Sequence, residues 1–156
     1  MAMRVVIIVG VLFILSTAAA AQISVKELDQ DWQKKTRHQL SLFKEGNRKE
    51  GLAISYFKED KRIYSIEKRM TFGTGKVPDS ASSLQFAYYN DTLIRIYFSR
   101  ITSIDHKNGF CIAYVTDKKI IAQTSKGDIY FPDMDSLQLK ADQWLQEAKE
   151  KLKGID

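Results

Sequence analysis

From Gly51 onward the apolar residues recur at every second position, in short runs broken by turn residues. This change of period constrains the chain more than any other feature. Only a strand turns successive side chains to opposite faces, so the middle of the chain is restricted to β-structure. Leu52, Ile54 and Tyr56 alternate with Ala53, Ser55 and Phe57. After a Glu59-Asp60-Lys61 turn a second strand spans 63–72, with Tyr64, Ile66, Met70 and Phe72 on one side. Its polar middle, Glu67-Lys68-Arg69, is the composition of a strand at a sheet edge or one projecting beyond its neighbours. A loop over 73–82 leads to a third strand at 84–89. Asn90-Asp91 is a tight turn of the kind that tolerates positive φ, and a fourth strand follows at 92–102. Asn108-Gly109 is the strongest hairpin signal in the chain. Further strands are predicted at 110–116, 119–124 and 128–131.

Helical spacing flanks this block. Ser24 to Glu27 has the form of a capping box, and Val25, Leu28, Trp32, Leu40 and Phe43 fall on one helical face before Gly46-Asn47. The expectation is a helix over 24–45. At the other end Pro132 stops the strands, and Asp135, with Gln138 three residues on, is the expected cap of a second helix. Leu137, Ala141, Trp144, Leu145, Ala148 and Leu152 form its apolar stripe, and Gly154 ends it. The predicted class is α+β: an N-terminal helix, an antiparallel meander of six to seven strands and a C-terminal helix, with the helices on one face of a curled sheet.

Ahead of the first helix, Arg4 precedes an apolar run from Val5 to Leu15, then Ser16, Thr17 and small residues through Ala21. These are the three parts of a secretory signal. The strongly apolar stretch is well short of the roughly 20 residues of a membrane span. The expectation is cleavage after Ala21, no stable membrane span afterwards, and one α+β domain over 22–156 outside the cytoplasm, periplasmic or secreted. An uncleaved anchor is the competing reading. Cys111 is the single cysteine, so no disulfide framework is possible within the chain. Net charge is +5, from 24 basic and 19 acidic residues. This mixed balance leans weakly toward anionic partners and lacks the concentrated basic stripe of a nucleic-acid binder.

Catalytic and metal chemistry find little support in the motifs. Cys111 stands in an alternating apolar segment, the setting of a small buried hydrophobe, although Asp105-His106 lies across the hairpin. A nucleophilic thiol would need such a base beside it. His38 and His106 are isolated, and neither a His-pair nor a paired-Cys zinc pattern occurs. Gly73-Thr74-Gly75-Lys76 lacks the spacing of a phosphate loop. Asn90-Asp91-Thr92 matches a glycosylation sequon, but its turn role explains Asn90 equally well. No catalytic, cofactor or metal residue is therefore assigned.

The remaining signal lies in the fourth and fifth strands. Thr92, Ile94, Ile96 and Phe98 alternate with Leu93, Arg95, Tyr97, Ser99 and Ile101, while Phe110, Ile112 and Tyr114 alternate with Cys111, Ala113 and Val115. Both faces are partly apolar, and two helices can cover only one of them. Arg95 and Tyr97, with Tyr88 or Tyr89, are the candidate contacts on the other face, since aromatics and Arg are enriched at recognition surfaces. Ordinary cross-strand packing is the alternative role for the same residues. The expectation is a non-catalytic extracytoplasmic binding protein that uses a sheet face or a sheet–helix pocket, with a protein or small-molecule partner. A small hydrolase or envelope-processing enzyme, and a structural envelope component, are the competing readings.

Overall fold

In the computed structural model, residues 30, 32–44, 48–73, 79–102, 108–127 and 133–155 are described. The leader expected over 1–21, residues 74–78 of the loop expected over 73–82 and the strand expected at 128–131 lie outside them, while residues 80–82 of that loop are already strand, paired with 100–102 and 70–72. Seven strands pair antiparallel in chain order: β1 (Arg37–Lys44), β2 (Arg48–Phe57), β3 (Ile63–Phe72), β4 (Ser80–Tyr89), β5 (Thr92–Thr102), β6 (Gly109–Thr116) and β7 (Lys119–Lys126). One long helix, α1 (Met134–Lys153), follows.

The first strand corrects the expected N-terminal helix. Residues 32–34 form a single helical turn, and from Arg37 the chain is extended. His38, Leu40 and Leu42 also alternate with Gln39 and Ser41, so this segment carries a period of two as well as a helical stripe. The tertiary partner decides between them. Leu40 lies opposite Ile54 and Leu42 opposite Leu52, so the strand register joins both leucines to the apolar side of β2. The polar middle of β3 also differs from expectation. β3 lies inside the sheet, between β2 and β4, because its charges find partners on neighbouring strands: Lys68 with Glu50, and Glu67 with Ser83.

Three hairpin ends carry register shifts, at Ser55/Tyr56, Ala87/Tyr88 and Tyr114/Val115. Tyr64, Ile94 and Ile121 are the residues passed over. Such bulges bend a strand and increase its twist, and here they line up at one end of the sheet. Strict alternation fails across them. Leu93 was expected beside Arg95, yet it lies opposite Tyr88 and packs against the core beneath α1. Tyr64 was expected beside Ile66, yet its ring packs against Phe57 and Trp32. The turns at this end are tight: Asn90 and Asp91 have φ of 47° and 65°, and Asp117 and Lys118 have 49° and 61°. Positive φ at both central residues matches the right-handed strand twist of a two-residue hairpin.

The connection between β5 and β6 is longer than the two-residue hairpin expected at Asn108-Gly109. Asn108 Oδ1 accepts from the Thr102 backbone N–H at 2.8 Å, and Gly109 opens β6. A Cβ on Gly109 would lie 2.0 Å from the Lys126 carbonyl oxygen, so glycine is required there for close backbone approach.

The helix runs across the turn end of the sheet. Its cap is Asp133, not the expected Asp135. Asp133 has the extended backbone of an N-cap residue, and its carboxylate accepts from the N–H groups of Asp135 at 3.1 Å and Ser136 at 3.3 Å. Asp135 instead adds negative charge to the first turn, where the helix dipole favours it. Gln138 donates to the Lys118 carbonyl, Lys149 pairs with Asp91, and Lys61 reaches the Ile155 carbonyl, so three turns are tied to successive parts of the helix region. The apolar stripe is buried as expected. Leu137, Ala141, Leu145, Ala148 and Leu152 join Ile54, Ile66, Phe86, Tyr88 and Ile96 in one core, with Trp144 edge-on to Phe86 at 5.1 Å.

Candidate functional site

The register sorts the sheet into two faces. Leu40, Ile54, Ile66, Phe86, Ile96, Ala113 and Gln123 form one row across all seven strands on the helix side. On the opposite face the neighbouring rows read Gln39-Ser55-Ser65-Ala87-Arg95-Tyr114-Ala122 and Ser41-Ala53-Glu67-Gln85-Tyr97-Ile112-Thr124. The helix α1 packs on the other face, and the helical turn at 32–34 reaches only the β1–β3 corner of this one, where Trp32 contacts Tyr64 and Arg37.

Its two halves differ in chemistry. Over β3 and β4 the polar groups satisfy one another. Arg69 donates to both Glu67 oxygens at 2.7 and 3.0 Å, Ser83 donates to Glu67 at 2.7 Å, and Gln85 donates to Ser65 at 2.9 Å. Burial pushes the Glu67 carboxyl up, but the hydrogen bonds from Arg69 and Ser83 outweigh it and hold the group below its ordinary value. Over β5 to β7 the face is aromatic and cationic. Tyr97 and Phe110 lie with ring centres 6.2 Å apart and planes 25° apart, and Tyr114 is 36% exposed. Exposed Arg95 lies directly opposite Tyr114, and exposed Lys126 opposite Phe110. Neither cation has an ion-pair partner among the described residues.

The four candidate residues therefore separate. Arg95 and Tyr97 lie on the open face, two positions apart on β5. Tyr88 lies instead in the core beneath α1, 1% exposed, and its hydroxyl donates to the Ala141 carbonyl at 2.8 Å. Burial, reinforced by the Asp142 charge, pushes its hydroxyl above the ordinary tyrosine range. It lies opposite Leu93 just past the bulge, on the side that faces α1. Tyr89 belongs to an aromatic and cationic cluster at the turn end, where the Arg62 guanidinium lies 5.4 Å from the Phe57 ring centre and 5.5 Å from that of Tyr89. Trp32 stacks edge-on against Tyr64 at 4.8 Å with Arg37 above it at 5.0 Å. Phe110, Ile112, Tyr114 and Lys126 complete the patch, and nothing in their local sequence marks them as contacts. Their alternation was visible, but their neighbours across the strands were not.

Charge is unevenly distributed over the molecule. Arg37, Lys49, Arg69, Arg95 and Lys126 occupy strand positions on the open face, where Glu67 is the only carboxylate among the described strand positions. Most other described carboxylates lie on α1 and the turns it crosses, among them Asp60, Asp91, Asp117, Asp142 and Glu147. A half-open cleft of about 370 Å³ lies on the helix side, lined by Leu42, Leu52 and Trp144 with Glu50, Lys68, Glu147 and Lys151. Its charges balance, and Lys68 and Glu50 approach at 3.5 Å.

Cys111 is buried within β6, where Gln123 Nε2 approaches its sulfur at 3.8 Å. His38 lies in β1, 5.9 Å from the Tyr56 ring. Among the described residues no three His, Cys, Asp or Glu side chains converge as a metal site, and no helix is long and apolar enough to cross a membrane. Comparison with family models, curated proteins and solved structures finds no match to this chain.

Proposed function

We propose that this chain is an exported, non-catalytic binding protein whose contact surface is the β5–β7 half of the open sheet face. One observation carries the reading. Tyr97, Phe110, Ile112 and Tyr114 form an accessible apolar patch bordered by two cations, Arg95 and Lys126, that lack ion-pair partners among the described residues. On the adjoining strands the polar groups satisfy one another, so ordinary packing accounts for them. Aromatics beside an unpaired Arg combine apolar area with directional charge, the composition of binding hot spots. The excess of cations on this face favours an anionic partner through complementarity and steering. The leader pattern from Arg4 to Ala21 supports export to the periplasm or medium.

Two measurements test the reading. N-terminal sequencing of protein recovered from the extracytoplasmic fraction should begin at Gln22; recovery only from the cytoplasm with Met1 intact would remove the export half. Retention on immobilised anionic probes should fall at least about tenfold in an Arg95→Ala, Tyr97→Ala double variant that unfolds as the unaltered protein does. Retention unchanged by the double variant would remove the contact surface.

A further inference from the structure

We infer that the anionic partner of this face is an acidic polysaccharide. The inference rests on the binding reading above and assigns its ligand class. Three features of the patch point the same way. Tyr97 and Phe110 stack on each other across adjacent strands with ring centres 6.2 Å apart, and a pyranose ring offers a flat C–H face that adds to such an aromatic surface. Ser99 lies between Ser83 and Phe110, Thr124 lies beside Ile112, and neither hydroxyl has a partner among the described residues. They are placed to exchange hydrogen bonds with sugar hydroxyls beside the stacked ring. Arg95 and Lys126 stand on opposite corners of the patch, two strands and two register rows apart, about 16 Å between Cα atoms from ordinary strand spacing. A single compact anion cannot reach both. An extended polymer carrying charge at intervals can, with its ring faces over the aromatics between them.

The competing polyanions fit less well. An acidic polypeptide supplies charge but lacks saturated ring faces. A nucleic acid would require a denser basic stripe than two cations beside an apolar patch. An anionic membrane would draw on several projecting apolar side chains, whereas among those of this patch only Tyr114 is exposed, and Tyr97, Phe110 and Ile112 are half-buried in the sheet surface.

The test uses protein expressed from the full chain and purified, with four probes at low ionic strength: polygalacturonate, neutral dextran, polyaspartate, and phosphatidylglycerol vesicles. Binding is read by titration calorimetry or co-sedimentation. The expected result is binding to polygalacturonate, with at least about tenfold weaker binding to the other three. Arg95→Ala should weaken polygalacturonate binding roughly tenfold, as loss of a hydrogen bond to a charged group implies. Lys126→Glu, at an exposed strand end, provides a second variant whose folding is undemanding, and it should weaken binding by at least as much. Lys151→Ala, in the helix-side cleft, should leave binding unchanged. Dextran binding as tight as polygalacturonate would overturn the inference, as would polyaspartate or vesicle binding that equals or exceeds it. If vesicles or polyaspartate bind and Arg95→Ala abolishes that binding, the ligand class falls while the contact surface stands. If polygalacturonate binding is indifferent to both Arg95→Ala and Lys126→Glu, the contact surface falls as well.

Discussion

Removing the hydroxyl of Tyr88 probes which tyrosines hold the fold and which face outward. Tyr88 is 1% exposed and its hydroxyl donates to Ala141 at 2.8 Å, linking β4 to the middle of α1. Tyr88→Phe keeps the ring and deletes this bond. The Ala141 carbonyl lies inside a helix and retains its ordinary backbone donor, so no acceptor is stranded. The loss should be that of one buried neutral hydrogen bond, about 1 kcal/mol. For a domain of this size that lowers Tm by about 3–5 °C. Tyr88→Ala also leaves a cavity in the core shared with α1, and should cost about 3–5 kcal/mol, a large share of the roughly 5–15 kcal/mol typical of a domain. Tyr97→Phe, on the open face, should change stability by less than about 0.5 kcal/mol. Urea unfolding followed by fluorescence gives all three values. A neutral Tyr88→Phe beside a Tyr97→Phe that costs more than about 1 kcal/mol would refute the division of the two faces.

Three further perturbations report on local parts of the structure. The folded-state pKa of Glu67 is depressed, so its interactions with Arg69 and Ser83 stabilise the fold above the ordinary carboxylate value and are lost as pH falls through the lowered one. Because Arg69 is largely exposed, the effect should stay below about 1 kcal/mol; Glu67→Gln should flatten the stability–pH slope between pH 3 and 6, and an unchanged slope would count against the pairing. Gly127 has φ of 81°, and a Cβ there would lie 2.1 Å from the Asn108 carbonyl oxygen; Gly127→Ala should destabilise by at least about 2 kcal/mol in a urea titration, beyond the cost of left-handed strain alone. Asp133→Ala should cost about 1 kcal/mol through loss of the cap, and Asp135→Ala less than half of that, with the reverse order contradicting the assignment of the helix start.

The legible and illegible parts of this fold divide along physical lines. The meander and the C-terminal helix rest on repeated local signals: period-two alternation, Asn90-Asp91, and a stripe from Leu137 to Leu152 whose members are buried or half-buried in the structure. The segment Arg37–Lys44 satisfies both periods, and its strand state is decided by pairing with β2, a partner that follows it in the chain. Tyr64 and Leu93 exchange faces because bulges interrupt alternation, and no residue type marks those positions. Arg95 and Tyr97 could be placed on one face from β5 alone. Tyr88 could not be excluded from that face without the helix that receives its hydroxyl. Phe110 and Lys126 become neighbours of Tyr97 only through the registers of β5 with β6 and of β6 with β7. The two-residue hairpin expected at Asn108-Gly109 has a related cause. Glycine there meets a demand for space against Lys126, not for a turn conformation.

We place the proposed partner on the β5–β7 half of the open face. Backbone amide shifts of ¹⁵N-labelled protein, followed during titration with polygalacturonate, test this placement most directly. The shifts should concentrate at Arg95, Tyr97, Phe110, Ile112 and Lys126 and leave Leu52, Trp144 and Lys151 unmoved. Shifts confined to that second group, in the cleft beneath the helix, would contradict it.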